Sequence, residues 1–472
     1  MSRKKYHRLE PPRPRPQDLA VEEQNSPATL VRVEALVAGG RGLGRVEGRI
    51  WLIEAAVPGD VVRALPLNVR GSLVQARTLE VVEPSPARRE APCPIQRTCG
   101  GCPWMILEAE EQRTWKRRLV LEALERIGRL PGIDVSAAVP SLRDLGYRNK
   151  LELTFGREGD RRVLGFHAAG GGDRIVDVER CLLQGDAGSR VLASTREYFL
   201  AGPGCSEPAL DDDRERTRIV VRESAETGEV LLAIRGLPGP FESAEPFARF
   251  LSARHPELAG VVRTLVHPGR RGGTKTEIVS GEPWIRETLG GLRFKLPAAA
   301  FFQVNTAAAH DLVRLVLEAA RADGPREVLD LYGGVGVFAL ALARRGATAT
   351  VIEADPEAAA CGKNAAAEAG IAGVGHVVSD VAAYLRSPTG VRQRPDLVIA
   401  DPPRTGLDRG VAESIARLHP ARIVLVSCDP PTLGRDMRAL VDFGYAPRTV
   451  VPVDLFPQTA HVEAVGVLEV SS

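Results

Sequence analysis

The sequence lacks any apolar run approaching the roughly 20 residues that cross a bilayer. Its basic start, MSRKKYHRLEPPRPRPQ, is not followed by the apolar stretch of a secretory signal. We therefore expect a cytoplasmic protein without a membrane partner. Aromatic residues are scarce at 5%, but 44% apolar and 26% charged residues are typical of a globular chain. This composition excludes collagen-like and wholly disordered chains.

An excess of one charge sign is also missing, because 62 basic residues face 60 acidic ones and leave a net charge of +2. Taken alone, this balance argues against a strongly electropositive nucleic-acid binder. The charge is unevenly spread, however. Residues 1–27 are rich in Pro and Arg, which predicts a basic disordered tail. Binding RNA requires a local basic face rather than a basic total. No feature predicts an obligatory protein partner.

Residues 28–86 contain short alternating runs separated by Gly-rich or Pro–Gly turns. This pattern predicts four or five strands in a small antiparallel, OB-like barrel. Such barrels bind single-stranded nucleic acid or serve only as structure, and the pattern leaves both open. Residues 87–289 mix strand-like and helical stretches and predict a central α+β domain.

From residue 290 to residue 472 the chain alternates strands and Ala-rich helices. The predicted strands are EVLDLYGG, TATVIEAD, GHVVSD, DLVIADPP, RIVLVSCDP and VEAVGVLEV. Such alternation predicts a doubly wound, mostly parallel, Rossmann-like α/β sheet. Three domains and a tail are therefore expected.

A Gly-rich turn, VLDLYGGVGVF, follows the first of these strands at residues 328–338. Glu353 ends the next strand, where a carboxylate can accept both hydroxyls of a ribose. Asp380 in HVVSD suits either the exocyclic amino group of an adenine or a helix N-cap. The glycines of this turn do not have the G-x-G-x-x-G spacing of a dinucleotide-binding turn. The order of the Gly-rich turn with the acidic strand ends and DPP is similar to an S-adenosylmethionine-dependent methyltransferase domain.

Cys428 follows the apolar strand RIVLV, at the end where open α/β sheets place active sites. A packing cysteine is expected inside a strand, so this position favours a nucleophile. Glu463, in DLFPQTAHVE, is a candidate general base, with a solvent-exposed strand-edge glutamate as the alternative.

Five motifs carry a resemblance to one family: FFQVN (301–305), DLYGGVG, DPPRTG (401–406), SCDPPTLGRD (427–436) and DLFPQTAHVE (454–463). Their order and spacing resemble the RNA uracil-C5 methyltransferases. The resemblance implies that the barrel is a TRAM domain, that the Cys428 thiolate adds to uracil C6 and that Glu463 removes the C5 proton. It also implies that Asn305 lines the uracil pocket, that Arg148 and Lys150 contact RNA, and that S-adenosylmethionine is bound by Gln303, Tyr332, Gly334, Glu353, Asp380 and Asp401.

Seven cysteines are present, and Cys93, Cys99 and Cys102 form a C-x5-C-x2-C cluster with Cys181 as a distant fourth. Four thiolates suit zinc or a 4Fe–4S cluster. The spacing favours iron–sulfur over zinc, and the family resemblance adds to that preference. Methyl transfer is redox-neutral, so we expect a structural cluster.

The sequence therefore predicts an enzyme that methylates C5 of a specific uridine in RNA. The barrel and cysteine cluster resemble the enzymes of large-subunit (23S) ribosomal RNA more than those of tRNA, which stays an alternative. A non-catalytic RNA-binding assembly factor is a second alternative, against which Cys428 and Glu463 argue. A cytosine-C5 methyltransferase is disfavoured, because its second cysteine motif is missing.

Overall fold

The structure is a computed structural model that describes residues 28–211, 216–267, 273–320, 324 and 326–471. The predicted basic tail, residues 1–27, lies outside the described residues. The contacts divide the chain into two compact units, one up to Glu90 together with Ile106–Glu108 and one with the rest of the chain. None of the described helices is long and apolar enough to cross a membrane.

The first unit contains a closed barrel of five strands in the order β1-β2-β3-β5-β4. Alternation builds its core, because Val31 and Val33 of β1 are buried while Leu30 and Arg32 are exposed. One pairing, β3 with β5, is parallel, so the expectation of a purely antiparallel barrel is wrong at that point. The strands are β1 (Thr29–Leu36), β2 (Gly42–Val46), β3 (Arg49–Glu54), β4 (Val61–Arg70) and β5 (Leu73–Glu83).

The first helix and the first strand of the second unit are α1 (Ala109–Arg126) and β6 (Asp134–Val135). A seven-stranded sheet follows, in the order β13-β12-β11-β10-β7-β8-β9. Its strands are antiparallel except for β11 and β12. They are β7 (Lys150–Glu158), β8 (Arg161–His167), β9 (Ile175–Asp177), β10 (Arg218–Glu223), β11 (Val230–Gly236), β12 (Leu258–Val266) and β13 (Thr274–Gly281).

Two helices, α2 (Asp186–Arg196) and α3 (Ala244–Ser252), cover this sheet through an apolar cluster that contains Val191, Leu192, Phe247 and Leu251. A π-helix (Glu197–Ala201) and two 3-10 turns (Pro203–Ser206 and Pro208–Asp211) continue α2. The hairpin of β14 (Trp284–Leu289) and β15 (Leu292–Pro297) then leads into the C-terminal region.

The C-terminal region forms an eight-stranded sheet in the order β18-β17-β16-β19-β20-β22-β21-β6. The five strands from β18 to β20 are parallel, and β22 is antiparallel to β20. The strands are β16 (Glu327–Leu331), β17 (Thr348–Glu353), β18 (Val374–Val378), β19 (Leu397–Ala400), β20 (Arg422–Ser427), β21 (Tyr445–Val453) and β22 (Glu463–Val470). The predicted Rossmann-like α/β fold is confirmed.

Helices cover both faces of this sheet, as a doubly wound fold requires. One face buries residues of α4, α5 and α6, and the other buries residues of α1, α7, α8 and α9. The helices are α4 (Thr306–Ala319), α5 (Val337–Ala343), α6 (Pro356–Glu368), α7 (Val381–Arg386), α8 (Val411–Arg417) and α9 (Pro430–Asp442), with a 3-10 turn at Gly390–Arg392. Thus α1 and β6, which precede the seven-stranded sheet in sequence, pack with the C-terminal sheet.

Strand β21 is absent from the sequence-based expectation. Pro447 and Pro452 lie within it, and proline is disfavoured in a paired strand because it has no N–H donor. The pairing with β22 shifts register between Pro447 and Thr449, and β6 pairs with Thr449 and Val450 alone. The incomplete ladder accommodates both prolines.

Candidate active site

Four predicted site residues lie where neighbouring parallel strands end. Tyr332 follows β16 and Glu353 ends β17. Asp401 follows β19 and Cys428 follows β20. Because parallel strands end at the same edge of a sheet, these side chains are brought to one edge. Ligands bind at this edge in open α/β sheets.

The Gly-rich turn joins β16 to α5 through left-handed backbone. The φ angles are 57° at Gly334 and 75° at Gly336, and a Cβ at Gly336 would lie 3.0 Å from Nε2 of His376. The amide of Gly334 donates to Oε2 of Glu353 over 2.9 Å, and Oε1 of Glu353 accepts from the amide of Asp355 over 2.7 Å. The turn and the acidic strand end therefore form one hydrogen-bonded rim.

Asp330 lies beneath this turn and is fully buried. Its Oδ2 accepts a hydrogen bond of 3.2 Å from the amide of Ala339, and its Oδ1 has no partner among the described residues. Burial, followed by the charges of Asp401 and Glu353, raises the pKa of Asp330 to about 7. The rim therefore rests on a carboxyl group that is costly to ionise.

A cavity of about 590 Å³ opens at this edge. Apolar side chains, among them Leu312 and Phe338, form much of its wall. The side chain of Tyr332 also lines the cavity, and burial raises the pKa of its hydroxyl group to about 12. The predicted site residues that line the cavity are Gln303, Tyr332, Gly334, Glu353, Asp401, Cys428 and Glu463.

Cys428 directly follows β20, and Glu463 begins the neighbouring strand β22. The antiparallel pairing of β20 with β22 matches Ser427 with Ala464, so Cys428 and Glu463 are the next residues along that register. Glu463 is only 2% exposed, and its Oε1 has no hydrogen-bond partner among the described residues. A carboxyl group at this position is not the solvent-exposed strand-edge glutamate of the alternative interpretation.

The surroundings of Cys428 and Glu463 favour the protonated form of both side chains. Burial, followed by the charge of Asp401, raises the pKa of Glu463 well above its ordinary value. Burial also raises the pKa of Cys428 to about 11, with Glu463 and Asp401 adding to the shift. Arg404 lowers the pKa of the Cys428 thiol and is the nearby cation that favours its thiolate.

Asp380 does not line the cavity. It is exposed and is the N-cap of α7, because its Oδ1 accepts a hydrogen bond of 2.8 Å from the amide of Ala383. The structure thus contains the N-cap that the sequence left open, and an adenine contact stays a prediction. Asn305 does not line the cavity either, since it is fully buried as the N-cap of α4.

The two predicted RNA contacts, Arg148 and Lys150, lie two residues apart in the chain. Arg148 lines the cavity, and Lys150 starts β7. Burial, with Arg222 adding, lowers the pKa of Lys150 to about 8. Two further residues were not predicted: Phe456 lines the cavity, and Lys116 forms a buried ion pair with Asp454. The basic stretch TWKRRLV contains no signal for such a partner, which lies 338 residues away.

The four predicted metal ligands are neighbours in the second unit. Burial and the charges of Cys181, Cys99 and Cys93 raise the pKa of Cys102 to about 12. All four are free thiols. Within the described ranges, however, no group of three or more His, Cys, Asp or Glu side chains is arranged to hold a metal ion. The structure therefore does not confirm the predicted metal site.

The sheet, the Gly-rich turn and the acidic strand ends define a Rossmann-like methyltransferase. A solved structure, the Pyrococcus abyssi tRNA (uracil-54, C5)-methyltransferase in complex with S-adenosyl-L-homocysteine, is similar with a TM-score of 0.71 and 24% identity. The match covers 93% of this chain and 100% of that one. At this identity it supports the fold.

The family model described as tRNA (uracil-5-)-methyltransferase matches residues 392–471, and that of conserved hypothetical protein 95 matches residues 314–431. Uncharacterized RNA methyltransferases of Halalkalibacterium halodurans and Nitratidesulfovibrio vulgaris are 31% and 36% identical. The first match covers 94% of this chain and 97% of the relative, and the second covers 93% and 95%. The chain is therefore an RNA methyltransferase that belongs to the RNA uracil-C5 methyltransferase family.

Proposed function

We propose that this RNA methyltransferase uses S-adenosylmethionine to methylate C5 of a uridine, with Cys428 as nucleophile and Glu463 as base. The observation that carries the proposal is the shared cavity, which Cys428 and Glu463 both line at the same sheet edge as the Gly-rich turn. The turn, Glu353 and the side chain of Tyr332 all line this cavity and fit a ligand with a ribose and further polar groups. S-adenosylmethionine, when bound, supplies an electrophilic methyl group.

Uracil C5 is too weakly nucleophilic to accept a methyl group directly. Addition of the Cys428 thiolate to C6 forms a C–S bond and makes C5 nucleophilic. Because a duplex conceals C6, the uridine must be unpaired or leave its stack to reach Cys428. After methylation, Glu463 removes the C5 proton and the C6–S bond breaks, which releases the thiolate and restores the aromatic base.

The raised pKa values bear on both roles. Once ionised, the Glu463 carboxylate is a stronger base than a solvated glutamate, but it must lose its own proton before it can take one from C5. The thiol of Cys428, with a pKa of about 11, is protonated at neutral pH, so its activation requires proton loss within the site. Arg404 provides positive charge for the thiolate, and Asp401 lies in the same cavity.

RNA that contains 5-fluorouridine tests this mechanism. Fluorine cannot be removed as a cation by Glu463, so the protein with S-adenosylmethionine should accumulate a covalent RNA adduct. The adduct migrates as a retarded band on a denaturing gel, and mass spectrometry locates it. It should be absent in Cys428→Ala. An adduct that persists in Cys428→Ala, or none with the unaltered protein, contradicts the mechanism. The latter result would favour a non-catalytic RNA-binding factor.

We propose large-subunit (23S) ribosomal RNA as the substrate, with the barrel as a TRAM-like RNA-binding domain. The barrel and the cysteine segment support this choice. The tRNA alternative has its own support, because the similar Pyrococcus abyssi enzyme and the matching family model both carry tRNA in their names. Incubating the protein with unmodified 23S rRNA and tRNA, then mapping 5-methyluridine by mass spectrometry, distinguishes the two. Methylation of tRNA alone would refute our choice.

We also propose that Cys93, Cys99, Cys102 and Cys181 hold a structural 4Fe–4S cluster. The support is the sequence spacing and the closeness of the thiols, since the charges of the other three raise the pKa of Cys102. The arrangement of the described residues does not itself fit a metal ion. No step of the reaction is assigned to the cluster. Protein prepared without oxygen should be brown and contain ~4 Fe per chain. A colourless protein with bound zinc would refute this proposal.

A further inference from the structure

The loop between β21 and β22, residues 454–462, passes beside the cavity. Phe456 lines the cavity, and Nη2 of Arg404 lies 3.3 Å from Nε2 of His461. A guanidinium group has donors and no acceptor, so Arg404 donates and the imidazole accepts. The imidazole is therefore neutral in this contact and carries its proton on Nδ1.

The surroundings of His461 keep it neutral. Burial, together with the positive charges of Arg404, Lys116 and Arg148, lowers its pKa to about 4. These cations are the charged groups that act on the ring from the neighbouring elements. The ring also lies edge-to-face against Phe456, with a centroid distance of 6.0 Å. A neutral acceptor is thus available to Arg404 throughout the neutral pH range.

Helix α1 holds this loop in place through Lys116 and Gln112. Lys116 and Asp454 form an ion pair that is buried on both sides, and Nζ of Lys116 also donates to the carbonyl of Phe456 over 2.9 Å. Oε1 of Gln112 accepts from the amide of Gln458 over 2.8 Å. Because buried hydrogen bonds are costly to leave unmade, the loop presents His461 at a defined position.

Arg404 itself is exposed, so its hydrogen bond to His461 limits the rotamers that it samples. Its charge lowers the pKa of Cys428 and of Glu463. The benefit to the thiolate depends on where the guanidinium spends its time, since the Coulomb energy falls with distance. A residue that holds Arg404 in place thereby acts on the nucleophile.

From this geometry we infer that His461 is a positioning residue, which accepts a hydrogen bond from Arg404 and so keeps that guanidinium beside Cys428. The inference rests on the proposed function, since it concerns activation of the proposed nucleophile. The imidazole contributes only a neutral acceptor, so another neutral acceptor at the position of Nε2 should replace it.

The test compares His461→Gln with His461→Leu. The Oε1 atom of glutamine reaches the position of Nε2 and accepts from Arg404, whereas leucine offers no acceptor. We would measure the rate of covalent adduct formation with 5-fluorouridine RNA as a function of pH. His461→Leu should slow the reaction about 10- to 100-fold at pH 7, as expected for a misplaced group. Its pH midpoint should rise by about one unit, because the thiolate loses a neighbouring positive charge.

His461→Gln should react within about threefold of the unaltered protein. The matched controls are His310→Leu and His310→Gln, at an exposed histidine on α4, and both should react normally. Equal losses in folded His461→Gln and His461→Leu would overturn the inference, as would an unchanged pH midpoint in His461→Leu. Absence of an adduct with the unaltered protein would overturn the proposed function, which separates the two failures.

Discussion

Asp330 should destabilise the fold at neutral and alkaline pH, although it lies under the Gly-rich turn. It is fully buried, and only one of its carboxylate oxygens has a hydrogen-bond partner among the described residues. Asp330→Asn keeps an acceptor for the amide of Ala339 and removes a charge that burial disfavours. We therefore expect the variant to gain stability, relative to the unaltered protein, as the pH rises.

The magnitude follows from the pKa of about 7, against an ordinary value of 3.8. A carboxyl group with a raised pKa in the folded state costs stability above its unfolded pKa, and the cost grows until the pH exceeds the folded pKa. At about 1.4 kcal/mol per pKa unit, the raised pKa of Asp330 costs about 4 kcal/mol of stability at pH 8 and about 2 kcal/mol at pH 5. The unpaired amide of the asparagine costs about 1–3 kcal/mol at either pH.

The quantity to measure is the difference in the free energy of unfolding between Asp330→Asn and the unaltered protein, from urea titrations at pH 5 and pH 8. It should change by about 2–3 kcal/mol in favour of the variant between the two pH values. The fixed cost of the amide cancels in this comparison. Asp160→Asn, at an exposed aspartate, should show no such change. A pH-independent difference for Asp330→Asn would refute the reasoning.

Three further predictions concern the site and its support. Glu463→Gln should lower turnover about 10²- to 10⁴-fold and trap a covalent adduct with ordinary uridine RNA, because the C5 proton stays in place; lost turnover without an adduct contradicts this role. Lys116→Met should cost about 3–5 kcal/mol in urea unfolding, since it leaves a buried aspartate unpaired, and a cost near that of the exposed Lys363→Met would argue otherwise. Gly336→Ala should weaken S-adenosylhomocysteine binding about fivefold or more in calorimetry, because a Cβ at this left-handed position would strain the Gly-rich turn. The control Gly346→Ala should bind S-adenosylhomocysteine normally.

Much of the fold can be predicted because its signals are local. Each parallel strand of the C-terminal sheet is an apolar run, and the chemistry-bearing residues follow the runs directly. Strand β21 cannot be predicted, because it contains Pro447 and Pro452 and proline is disfavoured in strands. The irregular pairing that accommodates these prolines is seen only in the structure. The parallel pairing within the barrel depends on contacts between distant strands, which no local pattern records.

In the candidate site, too, features with a local sequence signal can be predicted and features that depend on distant contacts cannot. Cys428 and Glu463 can be predicted because motif and strand end coincide, and the structure brings them together in the cavity. The support of the loop by Lys116 cannot be predicted, because a basic residue on a charged helix usually faces solvent and its aspartate lies far along the chain. At Asp380 the sequence suits either an adenine contact or a helix N-cap and does not choose between them. The N-cap is seen only once the backbone geometry is known.

The packing of α1 on the C-terminal sheet has a consequence for biosynthesis. The helix ends about 200 residues before β16, the first parallel strand of that sheet, begins. At a synthesis rate of roughly 5–20 residues per second, α1 leaves the ribosome roughly 10–40 s before its docking surface exists. In that interval its apolar face is available to chaperones or to wrong partners. The helix therefore docks on the C-terminal sheet only after the strands of that sheet have been synthesised, long after the helix itself has left the ribosome.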